Sequence, residues 1–270
     1  MRLKTQRTAV MGILNATPDS FSDGGRYNQL EAALQRSAQM VAEGADWIDV
    51  GGESTRPGAA DVSEQEELDR VIPLIEALKS RFAVKVSVDT SKAGVMQAAV
   101  DVGVDMINDV RALREPGALE VAARSDVLLC LMHMQGQPRS MQEAPDYDDV
   151  VYEVKMFLEQ RIARCNQAGI DSSRLLLDPG FGFGKTVRHN YQLLQRLAAL
   201  HEYGLPLLVG VSRKSMLGAV TDRKVDERLA ASIAGATIAA MKGAQIVRVH
   251  DVEQTVDAMQ VVHATLNGEF

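Results

Sequence analysis

Eight short apolar runs, each followed by a loop and a segment of helical periodicity, constrain the fold of this chain most strongly. The runs are rich in Val, Ile and Leu and are continuously apolar, which is typical of parallel strands whose outer face is covered. They occupy residues 8–14, 46–51, 84–89, 104–108, 126–133, 174–178, 206–212 and 244–250. Successive runs begin 20 to 48 residues apart, which suits a strand followed by a helix.

Helical signals fill the intervals between these runs. Apolar residues recur at helical spacing in residues 30–42, 152–168, 190–200, 226–241 and 253–266. Ser63 and Glu66 form a capping-box pattern in front of another such segment. Glycines typical of helix ends precede five of the runs, at Gly44, Gly103, Gly169, Gly204 and Gly243.

This alternation predicts a single α/β domain over residues 1–270, folded as a (β/α)8 TIM barrel. The chain has no linker-like stretch that would separate two domains. An open doubly wound sheet is the structural alternative, but such a sheet rarely needs eight regular units. The barrel is therefore the favoured fold class.

Composition excludes several classes of protein. Apolar residues make up 46% of the chain, which is too much for a disordered protein, and no apolar run approaches the length of a membrane helix. The formal charge of −7 argues against general nucleic-acid binding. The first residues lack the apolar core of a signal peptide, and two cysteines, Cys130 and Cys165, cannot form a disulfide framework. The expected compartment is the reducing cytoplasm, with no membrane partner.

The active site of a (β/α)8 barrel lies at the carboxyl ends of its strands, and nearly every run ends there on a polar residue. The opposite ends are mostly Ala, Gly, Val and Pro. A stable barrel does not need this asymmetry, but an active site does. The polar residues expected at the rim are Asn15, Glu53, Asp89, Asn108, Asp109, His133, Asp178, Ser212, Arg213, Lys214, Arg248 and His250.

Asp89, Asn108 and Asp178 are of a type that can pair with a flat heterocycle carrying amide and amino edges. The alternative role is to cap the helices that follow, and Asp89 in front of Thr90, Ser91 and Lys92 is well placed for that.

Cationic residues follow the seventh and eighth runs, at the corner where barrels frequently bind phosphate. Lys214, Arg248 and His250, together with a helix predicted to begin after Lys214, suit an anion. A solvated salt bridge is the alternative interpretation. The absence of metal-ligand spacing among Cys and His argues against tightly held zinc. Mg²⁺ held mainly by substrate phosphates needs only one or two protein oxygens, one of which Asn15 could provide.

Three glycine-rich loops complete the rim. Residues 15–25 form a long loop with a lone Phe among polar residues, and residues 51–58 present Arg56 to an anion. Residues 178–186 fail the Walker pattern, because three residues instead of four separate Gly180 from Gly184. This segment is better interpreted as a glycine-hinged loop that presents Phe181 or Phe183 as a platform. The site as a whole indicates group transfer from a phosphorylated heterocycle.

Six segments of the chain resemble bacterial dihydropteroate synthases, a family of pterin-binding TIM barrels. They are residues 11–25, 49–59, 87–92, 107–110, 175–184 and 210–215. The resemblance runs from about Val10 to the end, with only nine residues ahead of it, fewer than many members have. It implies condensation of (7,8-dihydropterin-6-yl)methyl diphosphate with 4-aminobenzoate, with Mg²⁺, by early loss of pyrophosphate and attack of the aniline nitrogen.

The resemblance also implies individual roles for the site residues. Asp89, Asn108, Asp178 and Lys214 would hold the pterin, with Met132 on its face, and Asn15 would meet Mg²⁺. Arg248 and His250 would cradle the diphosphate. The 4-aminobenzoate site would comprise Thr55, Arg56, Pro57, Phe183 and Ser215, joined by Phe21 and Asp23 as the loops close. Asp89, Asp178, Lys214, Arg248 and His250 are the expected catalytic set.

Sulfonamides are the competitors that the resemblance implies, and a homodimer is the expected assembly. Two other functions stay open at this point. One is a pterin-binding methyltransferase barrel, which would share the pterin pocket but has no use for Thr55, Arg56 and Pro57. The other is a non-catalytic pterin carrier, which would leave the pterin diphosphate intact.

Overall fold

Eight parallel strands form one closed sheet in a computed structural model, which describes residues 7–16, 26–54, 61–136, 141 and 144–268. The strands are β1 (Ala9–Asn15), β2 (Trp47–Gly51), β3 (Lys85–Asp89), β4 (Met106–Asp109), β5 (Leu128–Met132), β6 (Leu175–Asp178), β7 (Leu208–Val209) and β8 (Ile246–Val249). Their order in the sheet is β6-β5-β4-β3-β2-β1-β8-β7. A parallel bridge between Leu177 and Leu207 joins the two edges, which confirms the TIM barrel and excludes the open sheet.

Helices cover the outside of this barrel. They are α1 (Arg26–Ala42), α2 (Glu64–Arg81), α3 (Ala93–Asp101), α4 (Ala118–Arg124), α5 (Val150–Gln167), α6 (Val187–Gln195), α7 (Ser215–Thr221), α8 (Leu229–Met241) and α9 (Val252–Asn267). The predicted capping box at Ser63 and Glu66 is present at the start of α2. Two helices follow β7, and the first of them, α7, begins directly at the rim. In the described part of the chain no helix is long and apolar enough to cross a bilayer.

The seventh strand is shorter than its sequence pattern predicts. Residues 206–212 are continuously apolar up to Gly210, yet the strand comprises only Leu208–Val209. Pro206 has no N–H to give to a strand ladder. The N–H of Leu207 donates to the Gln245 side chain at 2.6 Å instead of pairing with a neighbouring strand. The missing N–H of Pro206 and the side-chain bond of Leu207 therefore shorten β7 without changing the sheet topology.

The side chains of the strands form two separate apolar layers. The larger one fills the space between strands and helices, and it includes Val50, Val88 and Leu177. The smaller one fills the lower part of the barrel, where Trp47, Met106, Leu128, Leu176 and Ile246 meet with four other side chains. Because successive residues of a strand face opposite sides, the residues two positions further on face the barrel interior again, one layer higher. That higher layer is polar.

Candidate active site

The polar layer above the apolar plug is built around Asp49, the middle residue of β2. Its carboxylate is fully buried and accepts hydrogen bonds from three other strands. The donors are the Ser87 hydroxyl on β3, Asn108 Nδ2 at 3.2 Å on β4 and Arg248 Nε at 2.6 Å on β8. Asp49 therefore orients two of the predicted site residues.

Arg248 connects two carboxylates across the barrel. While Nε donates to Asp49, Nη2 donates to Asp89 Oδ2 at 2.7 Å. Burial alone would lower the pKa of Arg248, but the charges of Asp49 and Asp89 outweigh that effect and raise it. Burial raises the pKa of Asp89 to about 7 against the opposing charge of Arg248. The pKa of Asp89 therefore depends on any other group that binds Arg248.

Asp89 does not cap the helix that follows it. The N-cap of α3 is Lys92, without a side-chain capping bond, and Asp89 points to Arg248 instead. The capping alternative is therefore wrong for this residue. Asn108 is likewise engaged in the barrel interior, through Asp49.

Asp178 and Lys214 form the second charged part of the site. Asp178 is the last residue of β6, and its Oδ1 accepts the Gly180 N–H at 2.7 Å. Burial raises the pKa of Asp178, with Lys214 the strongest opposing charge. Burial lowers the pKa of Lys214 to about 8, against the attraction of Asp178. A ligand that accepts hydrogen bonds from Lys214 or donates N–H groups to Asp178 would therefore shift the pKa of these two groups.

An apolar wall stands beside these charges. Met132 at the end of β5 packs with Val110, Met134 and Met141, and Phe183 lies against this cluster. The Lys214 ammonium lies 4.9 Å from the centre of the Phe183 ring, which is cation–π distance.

Phe181 and Phe183, two residues apart on one loop, have different roles. Phe181 is fully buried in the outer apolar core and forms no platform. Only Phe183 of the two candidates is available as a wall of the pocket. Of the two alternatives that the sequence left open, burial thus excludes Phe181 and leaves Phe183.

His250 and Asn15 lie at the rim on neighbouring strands. The imidazole Nδ1 of His250 is 3.0 Å from the Ser212 hydroxyl, which also accepts the His250 N–H at 3.2 Å. Ser212, which the sequence placed at the rim without a role, thus orients the imidazole. Asn15 ends β1 beside Gly51.

The donors near Asn15 fit Mg²⁺. A methyl group placed on Gly51 would lie 3.9 Å from both Asn15 Oδ1 and Asp89 Oδ2, so this glycine leaves room beside two hard oxygens. Asp89 Oδ2 also accepts the hydrogen bond from Arg248. Among the described residues, no group of three His, Cys, Asp or Glu side chains could hold a metal ion. Two oxygens suit a cation that keeps water and binds substrate phosphates as its other ligands.

The structure describes only part of the predicted 4-aminobenzoate site. Ser215 is the exposed first residue of α7, adjacent to Lys214. Five residues assigned to the 4-aminobenzoate site lie outside the described residues: Phe21, Asp23, Thr55, Arg56 and Pro57.

Sequence reasoning missed Asp49 as a site residue. The signal was present, because an Asp in the middle of the apolar strand Trp47–Gly51 is costly to bury unless it has partners. It also missed the environment of His133, which is buried against α5, edge-on to the Phe157 ring at 5.0 Å.

The barrel and its polar upper layer define an enzyme of the pterin-binding class. The family model described as "Pterin binding enzyme" matches residues 11–250. A dihydropteroate synthase of Escherichia coli strain K12 is 60% identical over 260 residues, covering 96% of this chain and 92% of the relative.

Solved structures agree with this class. The Yersinia pestis dihydropteroate synthase in complex with a sulfonamide drug superposes with a TM-score of 0.94, at 58% identity, covering 98% of this chain and 97% of the other. The Xanthomonas albilineans enzyme in complex with 7,8-dihydropteroate gives a TM-score of 0.90 at 50% identity, covering 98% and 97%. The chain belongs to the dihydropteroate synthase family, the transferases of EC class 2.5.1.15.

The environment of His133 predicts a specific pH dependence of stability. Burial and the charge of Lys185 lower the pKa of His133 to about 2, whereas an unfolded histidine has a pKa of about 6.5. Between these values the unfolded chain binds the extra proton, so the free energy of unfolding falls as the pH drops below about 6.5. At pH 5 the loss from this one group is about 2 kcal/mol.

Denaturant unfolding of the wild type and His133→Asn at pH 7.5 and pH 5 measures this term. Asn keeps a hydrogen-bond acceptor but does not titrate, so the variant should lose about 2 kcal/mol less on acidification. The same substitution at His263, on the outer helix α9, should keep the wild-type dependence. Equal losses in the wild type and His133→Asn would mean that folded His133 takes up the proton.

Proposed function

We propose that this chain condenses (7,8-dihydropterin-6-yl)methyl diphosphate with 4-aminobenzoate, to give 7,8-dihydropteroate and pyrophosphate in folate biosynthesis. The observation that carries the proposal is the polar upper layer of the barrel, where Asp89, Asn108 and Asp178 surround one interior beside Lys214 and Arg248. The Xanthomonas albilineans relative, at 50% identity, is in complex with 7,8-dihydropteroate, the proposed product.

The pterin ring would bind in this interior. The Asp178 carboxylate would accept N–H bonds from the aminopyrimidine edge, while Asn108 and Lys214 would meet the neighbouring donor and acceptor atoms. Met132 would cover one face of the ring, since it lines the adjacent apolar wall. In its ionised form the Asp178 carboxylate would favour positive charge on the ring, which develops when the leaving group departs.

The diphosphate would leave towards Arg248 and His250. The C–O bond breaks with its electron pair going to pyrophosphate, and these two cationic or donor groups bind the oxygens that gain charge. Asn15 would hold Mg²⁺ with Asp89 close by; when bound, the ion neutralises part of the diphosphate charge. Arg248 would then exchange a carboxylate partner for a phosphate partner.

The aniline nitrogen would attack the pterin-methyl cation, forming the C–N bond and passing a proton to solvent. Phe183 would support the aromatic ring, and the exposed start of α7 at Ser215 would lie near its carboxylate. We assign the rest of this subsite to Thr55, Arg56 and Pro57, with Phe21 and Asp23 joining as the loops close to exclude water. Sulfonamides, one of which is present in the Yersinia pestis complex, would compete here.

A pyrophosphate-release assay tests the reaction. The purified chain, given both substrates and Mg²⁺, should release pyrophosphate and form dihydropteroate in equal amounts. Omission of 4-aminobenzoate or chelation of Mg²⁺ should lower the rate at least about tenfold, since each removes a contribution to the transition state. A chain that binds the pterin diphosphate and leaves it intact would be a carrier, and the proposal would be wrong.

Asp178→Asn tests the pterin pocket. The amide keeps the shape but loses the charge and one acceptor, so the dissociation constant of the pterin diphosphate should rise at least about tenfold. Calorimetric titration measures this without turnover. Asp171→Asn, near the opposite end of β6, is the matched control and should bind like the wild type. Unchanged affinity of Asp178→Asn would refute the pocket assignment.

We further propose that the chain acts as one domain and that its compartment is the cytoplasm.

We also propose that the chain assembles as a homodimer through α8. This helix is apolar around most of its surface, and Leu229, Ile238 and Met241 remain 40%, 44% and 47% exposed. A helix that is apolar on all sides is usually covered on all sides. A second copy of the chain would cover this face symmetrically.

Ile238→Glu should separate such a dimer, because it places a charge in the apolar contact. Sedimentation equilibrium of the wild type should give twice the chain mass, and the variant should give the chain mass at the same concentration. Tyr152→Glu alters a comparably exposed side chain on α5 and should stay dimeric. A wild type that sediments as a monomer would contradict the assignment.

A further inference from the structure

Lys185, which the proposed reaction does not use, is buried beneath the connection between β6 and α6. Only 2% of it is exposed. Its Nζ lies 2.8 Å from the Gly180 carbonyl oxygen, 3.0 Å from that of Phe183 and 2.9 Å from Nδ1 of His133. The two carbonyl oxygens can only accept, so the Lys185 amine donates to both, and His133 Nδ1 is its third hydrogen-bond partner. Burial of an amine is costly unless its hydrogen bonds are made, so these three contacts are what allow Lys185 to lie beneath the loop.

The imidazole on the other side of Lys185 is itself fixed. Burial lowers the pKa of both His133 and Lys185, so the imidazole is neutral, and its Nδ1 shares a hydrogen bond with Lys185 Nζ. The His133 N–H donates to the Asp178 carbonyl oxygen at 3.0 Å, so the end of β5 is joined to the end of β6. Lys185 therefore links the glycine loop to a rigid part of the barrel.

The loop that Lys185 holds contains glycines in backbone conformations that other residues rarely adopt. Gly180 and Gly184 have φ angles of +70° and +61°, which side chains rarely adopt. A methyl group on Gly180 would overlap the His133 carbonyl oxygen, and one on Gly184 would overlap that of Gln135. The loop thus lies directly on the β5–α5 connection, backbone against backbone. Such a glycine-rich segment loses much conformational entropy on ordering, which the Lys185 bonds offset.

The two carbonyl groups that Lys185 binds belong to residues with different anchors. Gly180 is next to the strand end and binds Asp178, which the β5 pairing also holds. Phe183 lies in the middle of the loop, where its N–H donates to the Gly180 carbonyl oxygen at 3.1 Å. The far end of the loop is tied separately, by the Tyr147 hydroxyl to the Gly184 carbonyl oxygen at 2.7 Å. Loss of Lys185 should therefore displace Phe183 more than Asp178.

We propose that Lys185 is a positioning residue that holds the β6–α6 connection so that Phe183 forms the wall of the aromatic-amine subsite. The inference rests on the proposed function, since it assigns Phe183 to 4-aminobenzoate. Lys185 touches neither substrate and acts through the loop.

Lys185→Met tests this, because it keeps the length of the side chain and removes its N–H donors. The KM for 4-aminobenzoate should rise roughly tenfold, the loss expected when buried carbonyl oxygens lose their hydrogen-bond donor. The dissociation constant of the pterin diphosphate should stay within about threefold, since Asp178 keeps its strand pairing. Lys79→Met is the matched control, because it removes a 2.8 Å ion pair between Lys79 and Asp105 that is not part of the loop. This variant should match the wild type.

A double-mutant cycle separates positioning from general support of the fold. In a Phe183→Leu background, Lys185→Met should raise the KM for 4-aminobenzoate by less than about twofold, because the ring it positions is gone. Should Lys185→Met not fold, Lys185→Gln, which keeps two N–H donors, is measured in the same cycle and should give a smaller rise.

Two results overturn the inference. One is an equal loss of pterin and 4-aminobenzoate binding in Lys185→Met, and the other is a full effect that persists without the Phe183 ring. Failure of the proposed function is distinguishable from both, because it shows as a wild type that releases no pyrophosphate from the two substrates.

Discussion

Parallel closure of the barrel is the constraint on which the rest of the structure depends. Since all eight strands run in one direction, their carboxyl ends meet at one rim, and side chains two residues apart stack in layers inside. Trp47 and Met106 belong to the lower, apolar layer, and Asp49 and Asn108 lie one step higher. An apolar plug beneath a polar layer follows from this register, so the site has a dry, rigid floor.

Burial of charge gives the polar layer its organisation. Arg248 is shared between Asp49 and Asp89, and the charges of Lys214, Arg248 and Lys185 all act on Asp178. An unpaired charge in this position would be very costly, so each group holds the next in place. The formal net charge of −7 therefore describes the outer surface of the chain and says little about the ligand. What matters for two anionic substrates is that cationic side chains gather at one rim.

Loops carry the specificity that the barrel itself does not supply. The connection after β6 bears Phe183, and α7, which follows β7, bears Lys214 at its N-cap. The Lys214 ammonium contacts the carbonyl oxygen of Phe181 and lies over the Phe183 ring, so these two connections meet. The β6–α6 connection also packs on the connection after β5 through Lys185 and His133. One set of loop contacts thus joins the proposed pterin pocket to the proposed aromatic-amine subsite.

The sequence by itself determined the barrel, most strand ends and the family, because apolar runs, helix periods and long motifs are local along the chain. It could not determine the partners of Asp49, since Arg248 is 199 residues away and only closure of the barrel brings them together. Nor could it separate Phe181 from Phe183, whose rings point to the core and to the pocket from one loop. It also gave no reason to single out Lys185, whose three hydrogen-bond partners come from two connections. Local patterns determine which elements form, whereas the direction of a side chain and the pairing of buried charges depend on contacts that exist only after folding.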